Sequence, residues 1–462
     1  MFRRVPFILA ILLCITPLLF AEDGSEYEDH LEHMEGPFET PQEITATCLE
    51  CHDAVGEEIL KTQHWNWQGG AQGVGKRNMV NNFCIAISSN WGFCTPCHIG
   101  YGWENDDFDF SNTENIDCLV CHDATGAYNK HKGHSGMPDP SVDLVKAAQS
   151  VGKPVALQNC GSCHFKGGGG NGVKHGDLDE SLLQASSELD VHIGGNGMNC
   201  TDCHTVNAHH ILGAGPASMA RNKNHIACID CHDAEPHEKE KLNRHISAVA
   251  CQTCHIPTFA RGMPTKTWWD WSTAGQDIEV KKDEYGKPLY NKKKGSFKWE
   301  KNARPVYRWF NGGADYYRLG DKIDPQSIVT LNRLRGDVSE ATAKIYPFKL
   351  MRGKQIYDTE HSRLIVPKLF DKEGKNSFWS SFDWNISSSE GMKSVGMEFS
   401  GSYDFIETEL YVPIHHTVAP AKKAMKCHHC HHKSKGLLDW EALGYTGDPM
   451  ANKGREKNEL LK

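Results

Sequence analysis

The pentapeptide Cys-x-x-Cys-His occurs eight times in this chain, and no other feature limits the possible folds so severely. The copies start at Cys48, Cys94, Cys118, Cys160, Cys200, Cys228, Cys251 and Cys427, and their second cysteines are Cys51, Cys97, Cys121, Cys163, Cys203, Cys231, Cys254 and Cys430. They end on His52, His98, His122, His164, His204, His232, His255 and His431. Random placement of 18 Cys and 26 His among 462 residues would supply well under one copy. Two thiols three positions apart can add to the two vinyl groups of one porphyrin, and the adjacent His then faces its iron, so each copy reads as a c-type haem attachment site. Zinc sites built from paired Cys-x-x-Cys units do not need a His after every pair, and a disulfide framework needs none.

Eight porphyrins also account for the composition. An apolar fraction of 39% is low for a chain of 462 residues, yet 12 Trp, 13 Tyr and 18 Phe are foreign to disordered chains. Buried macrocycles supply the missing core, and their propionates add roughly 16 negative charges when ionised. The formal charge is -9, and loss of Arg3 and Arg4 with a leader takes it to about -11. A nucleic acid as main partner is disfavoured, because the basic phosphate footprint is missing.

The motifs divide the chain. Residues 1–21 carry Arg3 and Arg4, an apolar run of 16 residues from Val5 to Phe20, and Ala21 before the polar Glu22, the layout of a secretory signal peptide. An uncleaved anchor is the rival reading, weakened by the short run and by Pro6 and Pro17. No other stretch is apolar enough to span a bilayer, so an exported, periplasmic or extracellular protein is expected. Residues 22–44 read as an acidic flexible arm in which His30 and His33 are loose members without chemistry. Residues 45–256 hold seven motifs at spacings of 23 to 46 residues, too irregular for a solenoid but close enough for successive haems to touch. The predicted fold is mainly α with much irregular structure, a packed haem core carried on short helices such as Ser181 to Leu189 and Pro236 to Arg244.

Residues 257–426 lack a motif and are rich in aromatics and turn signals, including Trp268 to Trp271, Tyr285 to Pro288 and Val306 to Phe310. They predict strands and loops folded over the haems. The basic stretch from Lys281 to Arg304 reads as a solvated hairpin surface, with an anion-attracting patch as the alternative. Residues 427–462 hold the eighth motif and a polar tail. Gly167 to Gly172 is not a phosphate loop, since Val173, Lys174 and His175 stand where Gly-Lys-Ser/Thr is required.

Each iron needs a sixth ligand. A second His closes it for electron transfer, whereas a weak or absent ligand admits substrate. The best placed are His64, His175, His192, His210, His237, His245 and His416, with His131, His134, His209, His225 and His415 as runners-up. Of the cysteines outside the motifs, Cys14 leaves with the leader and Cys84 remains.

The blocks NNFCIAIS from Asn81, GGGGNGVKHGDLD from Gly167, DVHIGG from Asp190, ACQTCHIP from Ala250 and HTVAP from His416, together with the eight motifs, resemble the octahaem tetrathionate reductase family from about Thr45 to His431. The resemblance implies seven bis-His haems and a second haem with a distal Lys, beside a Cys, an Asn and an Asp. Residue by residue, it places Lys146 as the distal lysine, Asp143 as the acid, Cys84 as the pocket cysteine and Asn81 as the asparagine. On residues alone, Lys146 reads equally as a surface lysine on a helix from Val142 to Ser150, and Cys84 as an inert buried thiol.

The function expected from the resemblance is multi-electron reduction of a small inorganic anion, tetrathionate first and nitrite or hydroxylamine next. Seven electron-transfer haems would feed the reaction from a partner cytochrome or quinol-linked donor. The alternative is an electron conduit with eight six-coordinate irons and no substrate of its own.

Overall fold

The computed structural model describes residues 30–67, 75–83, 85–213, 225–432 and 436–452. The expected signal peptide and Cys84 lie outside them.

The motif-bearing part is built from short helical turns and loops. Each Cys-x-x-Cys-His is close to one turn: His52 N–H reaches Cys48 O at 3.0 Å, and the same bond closes Cys118–His122, Cys200–His204, Cys228–His232 and Cys427–His431 at 2.8 to 3.0 Å. A single turn puts positions i, i+3 and i+4 on one side, so both thiols and the imidazole face the same space. The longest motif helix is Pro41–Cys51, started by a proline whose missing N–H costs nothing at that position. The expected helix from Ser181 to Leu189 is instead a 3-10 turn, Glu180–Gln184, and that from Pro236 to Arg244 narrows to Glu240–His245. Residues 30–40 are not a loose arm, since Met34 is buried against Ile44, Leu119, Ala147 and Ala148.

The covering region forms an eight-stranded sheet. Its strands are β1 (Thr265–Asp270), β2 (Tyr290–Asn291), β3 (Gly295–Glu300), β4 (Val306–Phe310), β5 (Val329–Thr330), β6 (Lys344–Asp358), β7 (Arg363–Leu364) and β8 (Tyr403–Pro413). The order is β2-β3-β1-β6-β8-β5, with β4 and β7 also paired to β6. β6 and β8 run antiparallel from Phe348↔Pro413 to Asp358↔Tyr403, while β1 lies parallel to β6. β6 alternates as a half-buried strand should, with Ile345, Met351 and Gly353 inward and Lys344 and Arg352 outward. Val306–Phe310 is the strand its sequence predicts.

The core of this sheet is aromatic. Trp269 stacks on Trp271 with ring centres 4.9 Å apart, and Phe378 on Trp384 at 3.8 Å. Val80, Phe83, Ile85 and Val173, all from the motif-bearing half, belong to the same apolar cluster as Trp269, Met351 and Leu410. Polar ties add direction to this contact. Lys349 on β6 donates to Val173 O at 2.7 Å, Lys174 O at 3.0 Å and Thr265 Oγ1 at 2.6 Å. Asn82 Nδ2 donates to Met351 O at 2.7 Å and Gln355 Nε2 to Asn81 O at 3.1 Å. Thus β6 pins Asn81 and Asn82, and the backbone of Val173 and Lys174, to one surface.

Candidate functional site

Seven of the eight motif histidines face a second imidazole. The ring centres are 6.4 Å apart for His52 and His30, 6.5 Å for His122 and His209, 6.1 Å for His164 and His64, and 6.2 Å for His204 and His416. They are 6.1 Å apart for His232 and His192, 6.1 Å for His255 and His237, and 6.2 Å for His431 and His245. An imidazole nitrogen binds a first-row metal at about 2 Å, and the ring centre lies roughly 1 Å behind it, so two rings on opposite sides of one iron stand about 6 Å apart. Among the described residues, no three His, Cys, Asp or Glu side chains converge on a possible metal position. Four equatorial ligands must therefore come from elsewhere, as a porphyrin supplies them. Burial depresses His64 to about 4 and His164 to about 3, so both rings are neutral and ready to bind metal.

His98, of the second motif, is different. Its ring sits in an aromatic box, with ring centres at 4.8 Å for Trp65, 4.8 Å for Trp103, 5.4 Å for Trp67, and 5.8 Å for Phe108 and for Phe110. Nε2 stands 2.8 Å from Trp65 O, and the buried Nδ1 has no hydrogen-bond partner. Gly100 permits this fit, because a Cβ there would lie 2.8 Å from Nδ1. Burial pushes His98 down to about 3, so it too is a neutral imidazole. Lys130 ties the turn together, donating to His98 O at 2.6 Å and pairing with Asp117 at 3.0 Å.

The motif thiols trace a path. Cys48 and Cys118 lie within hydrogen-bonding reach, as do Cys97 and Cys163, Cys160 and Cys200, and Cys228 and Cys251. Cys121 interacts electrostatically with Cys160, Cys203 with Cys231, and Cys254 with Cys427. The order is first, third, fourth, fifth, sixth, seventh, eighth, and the second motif joins at the fourth.

The expected pocket residues are not brought together as a set. Asn81 is in place on the turn pinned by β6, its Oδ1 accepting from Phe83 N at 2.9 Å and its N–H reaching Ile85 O at 2.6 Å. Asp143 and Lys146 are exposed on the helix Leu144–Gln149, whose neighbours Met34, Ile44 and Cys48 belong to the first motif's surroundings. Asp143 Oδ1 accepts from Lys146 N at 3.0 Å, so their spacing serves a helix N-cap. The backbone of Lys174 is tied to β6, its carbonyl accepting from Lys349 at 3.0 Å. Its loop folds back on the fourth motif through Gly172 N to Phe165 O at 2.8 Å and Lys174 N to Gly167 O at 3.1 Å. The sequence offered a signal, because a polar side chain also stands three positions before Lys174, at Asn171.

Two family models match parts of the chain: "Cytochrome c bacterial" over residues 266–434 and "Cytochrome c7 and related cytochrome c" over residues 185–266. An uncharacterized protein of Archaeoglobus fulgidus is 25% identical over 239 residues, 39% of this chain and 79% of that one. The crystal structure of octaheme cytochrome c from Shewanella oneidensis superposes with a TM-score of 0.86 at 46% identity, over 92% of this chain and 98% of that chain. The chain belongs to the octahaem cytochrome c family. As an octahaem cytochrome it carries c-type haems, eight in agreement with its motifs and with that homologue, in a multihaem fold.

For this octahaem cytochrome the list of sixth-ligand candidates needs amendment. His64, His192, His237, His245 and His416 each face a motif histidine, whereas His175 and His210 do not enter the seven pairs. His209 and His30 stand there instead. His209 is at the tip of a hairpin in which Ala208 and His209 both have positive φ, 46° and 60°, while His210 is committed to backbone pairing with Asn207. His131 and His134 stack on each other at 3.7 Å, His225 is exposed, and His415 lies 3.3 Å from Gln252.

Proposed function

We propose that this octahaem cytochrome is a terminal reductase of a small inorganic anion at its second haem, with tetrathionate the first candidate and nitrite or hydroxylamine the next. The single observation that carries this reading is His98: it alone among the motif histidines has no imidazole facing it among the described residues, and it is walled by aromatic side chains. Bound haems would supply one-electron carriers and, held by His98 at the second site, the redox chemistry for the substrate.

The chain's residues do the rest. The aromatic box excludes water and fixes the His98 ring. Lys174, on the loop that follows the fourth motif, is the lysine we assign to the pocket in place of Lys146; an amine binds metal when neutral and pairs with an anion when protonated. Cys84, next in sequence to Phe83, is the thiol we assign to the chemistry. Its thiolate attacks one central sulfur of tetrathionate and breaks the central sulfur–sulfur bond, releasing one thiosulfate and leaving a mixed disulfide. Two electrons from the haems reduce that disulfide, which releases the second thiosulfate and restores the thiolate. Asn81 orders the chain beside it, through Phe83 N and Ile85 O.

A conduit without substrate is the second reading, favoured by the unbroken path from the first motif to the eighth. Anaerobic re-oxidation of reduced viologen with tetrathionate, nitrite and hydroxylamine separates the two. Turnover lost in Lys174→Met but kept in Lys146→Met supports the reductase. No turnover with all eight haems present supports the conduit.

We further propose export, on the basis of the N-terminal residues, and electron supply from a cytochrome or quinol-linked donor. No helix among the described residues is long and apolar enough to cross a membrane.

A further inference from the structure

The nitrogens turned away from the facing pairs differ in their partners. His204 Nδ1 meets Leu212 O at 2.7 Å and His245 Nδ1 meets Lys241 O at 2.8 Å, both neutral carbonyls. His237 Nδ1 meets the Asn243 amide oxygen at 3.1 Å. Three others meet carboxylates: His416 with Asp177 Oδ2 at 3.1 Å, His431 with Asp448 Oδ1 at 2.6 Å, and His209 with Glu58 Oε2 at 2.9 Å.

Asp177 is the most strongly built of the three. Its side chain is 1% exposed, and Oδ2 also accepts the backbone N–H groups of His415 at 2.8 Å and His416 at 2.9 Å. Its Oδ1 is buried without a hydrogen-bond partner. Asp177 follows Lys174 by three residues, and Lys349 bonds the loop just before it. One loop thus carries Lys174 and the carboxylate behind His416.

An anionic acceptor draws the Nδ1 proton and makes the imidazole a stronger donor, which favours ferric over ferrous iron. We infer that Asp177 is a positioning residue that fixes His416 toward His204 and holds the fifth haem at low potential. Its motif touches the fourth motif, where the second joins, so the fifth haem is placed to push electrons toward that junction. Glu58 and Asp448 act in the same sense on the third and eighth haems. The inference rests on the facing imidazoles being axial ligands and is independent of the substrate.

The test is a spectroelectrochemical titration, with electron paramagnetic resonance of the ferric state, on holoprotein carrying Asp177→Asn, Glu58→Gln and, as a neutral-partner control, Asn243→Ala. The expected result is one haem moving to higher potential in each carboxylate variant, with the low-spin count unchanged from wild type, because the amide keeps the hydrogen bonds and loses only the charge. Unchanged potentials in both carboxylate variants overturn the inference. Glu58 is partly exposed, so Glu58→Gln stays decisive if Asp177→Asn fails to fold. His416→Ala separates the two layers of the argument: a low-spin count unchanged from wild type there would show that the ligand assignment, rather than the role of Asp177, is wrong.

Discussion

Replacing His30 by alanine should convert one haem in eight from low-spin to high-spin. His30 faces His52 with ring centres 6.4 Å apart and planes inclined by only 18°, the geometry of two imidazoles across one iron. The remaining pairs use other residues, so the loss is confined to the first haem and equals about one seventh of the low-spin intensity of the facing pairs. The assay is electron paramagnetic resonance of the ferric protein at full haem content, with His33→Ala beside it as a neighbouring histidine outside the pairs. Added imidazole should restore the lost signal by occupying the vacated position. An unchanged low-spin count in His30→Ala, or an equal loss in His33→Ala, would refute the assignment and return residues 30–40 to the status of an arm.

Three further outcomes follow from the same geometry. His209→Ala should produce a single high-spin haem and His210→Ala none, read in the same spectrum. Ring planes should sort the low-spin signals: the pairs of His52, His204 and His255 lie within 17° to 24° of parallel and should be rhombic, whereas those of His122, His164, His232 and His431 are inclined by 65° to 75° and should be strongly anisotropic. Lys349→Met should lower the thermal midpoint by a loss of about 3 kcal/mol, since it orphans Val173 O, Lys174 O and Thr265 Oγ1 while relieving one buried charge. A midpoint equal to wild type would show that β6 does not hold this loop through Lys349.

What was legible in the sequence is what one turn of chain decides. Cys-x-x-Cys-His states its own geometry, because positions i, i+3 and i+4 share a helical face whatever surrounds them. Val306–Phe310 is equally local, a β-branched and aromatic run bounded by turn residues. Sixth ligands are a tertiary matter. His209 and His210 are neighbours of identical chemistry, and only the positive φ of the hairpin tip decides which one reaches His122. His30 gives no local signal, because its partner lies beyond the helix Pro41–Cys51 and its segment is anchored by Met34 and Phe38, whose contacts are distant in sequence. At Lys146 the spacing is ambiguous: Asp-x-x-Lys also describes a helix N-cap and its third residue, and Asp143 caps Leu144–Gln149 in that way. Lys174 stands inside the GGGGNGVKHGDLD block, but spacing alone gives it no ligand role.

The central claim is that one site, at His98, is built differently from seven closed pairs. It is tested most directly by titrating the fully reduced holoprotein with carbon monoxide and counting equivalents bound. The account predicts one per eight haems, with the remaining seven spectra unmoved. Binding of none would make all eight haems closed and the protein a conduit; binding at several would dissolve the distinction between His98 and the facing pairs.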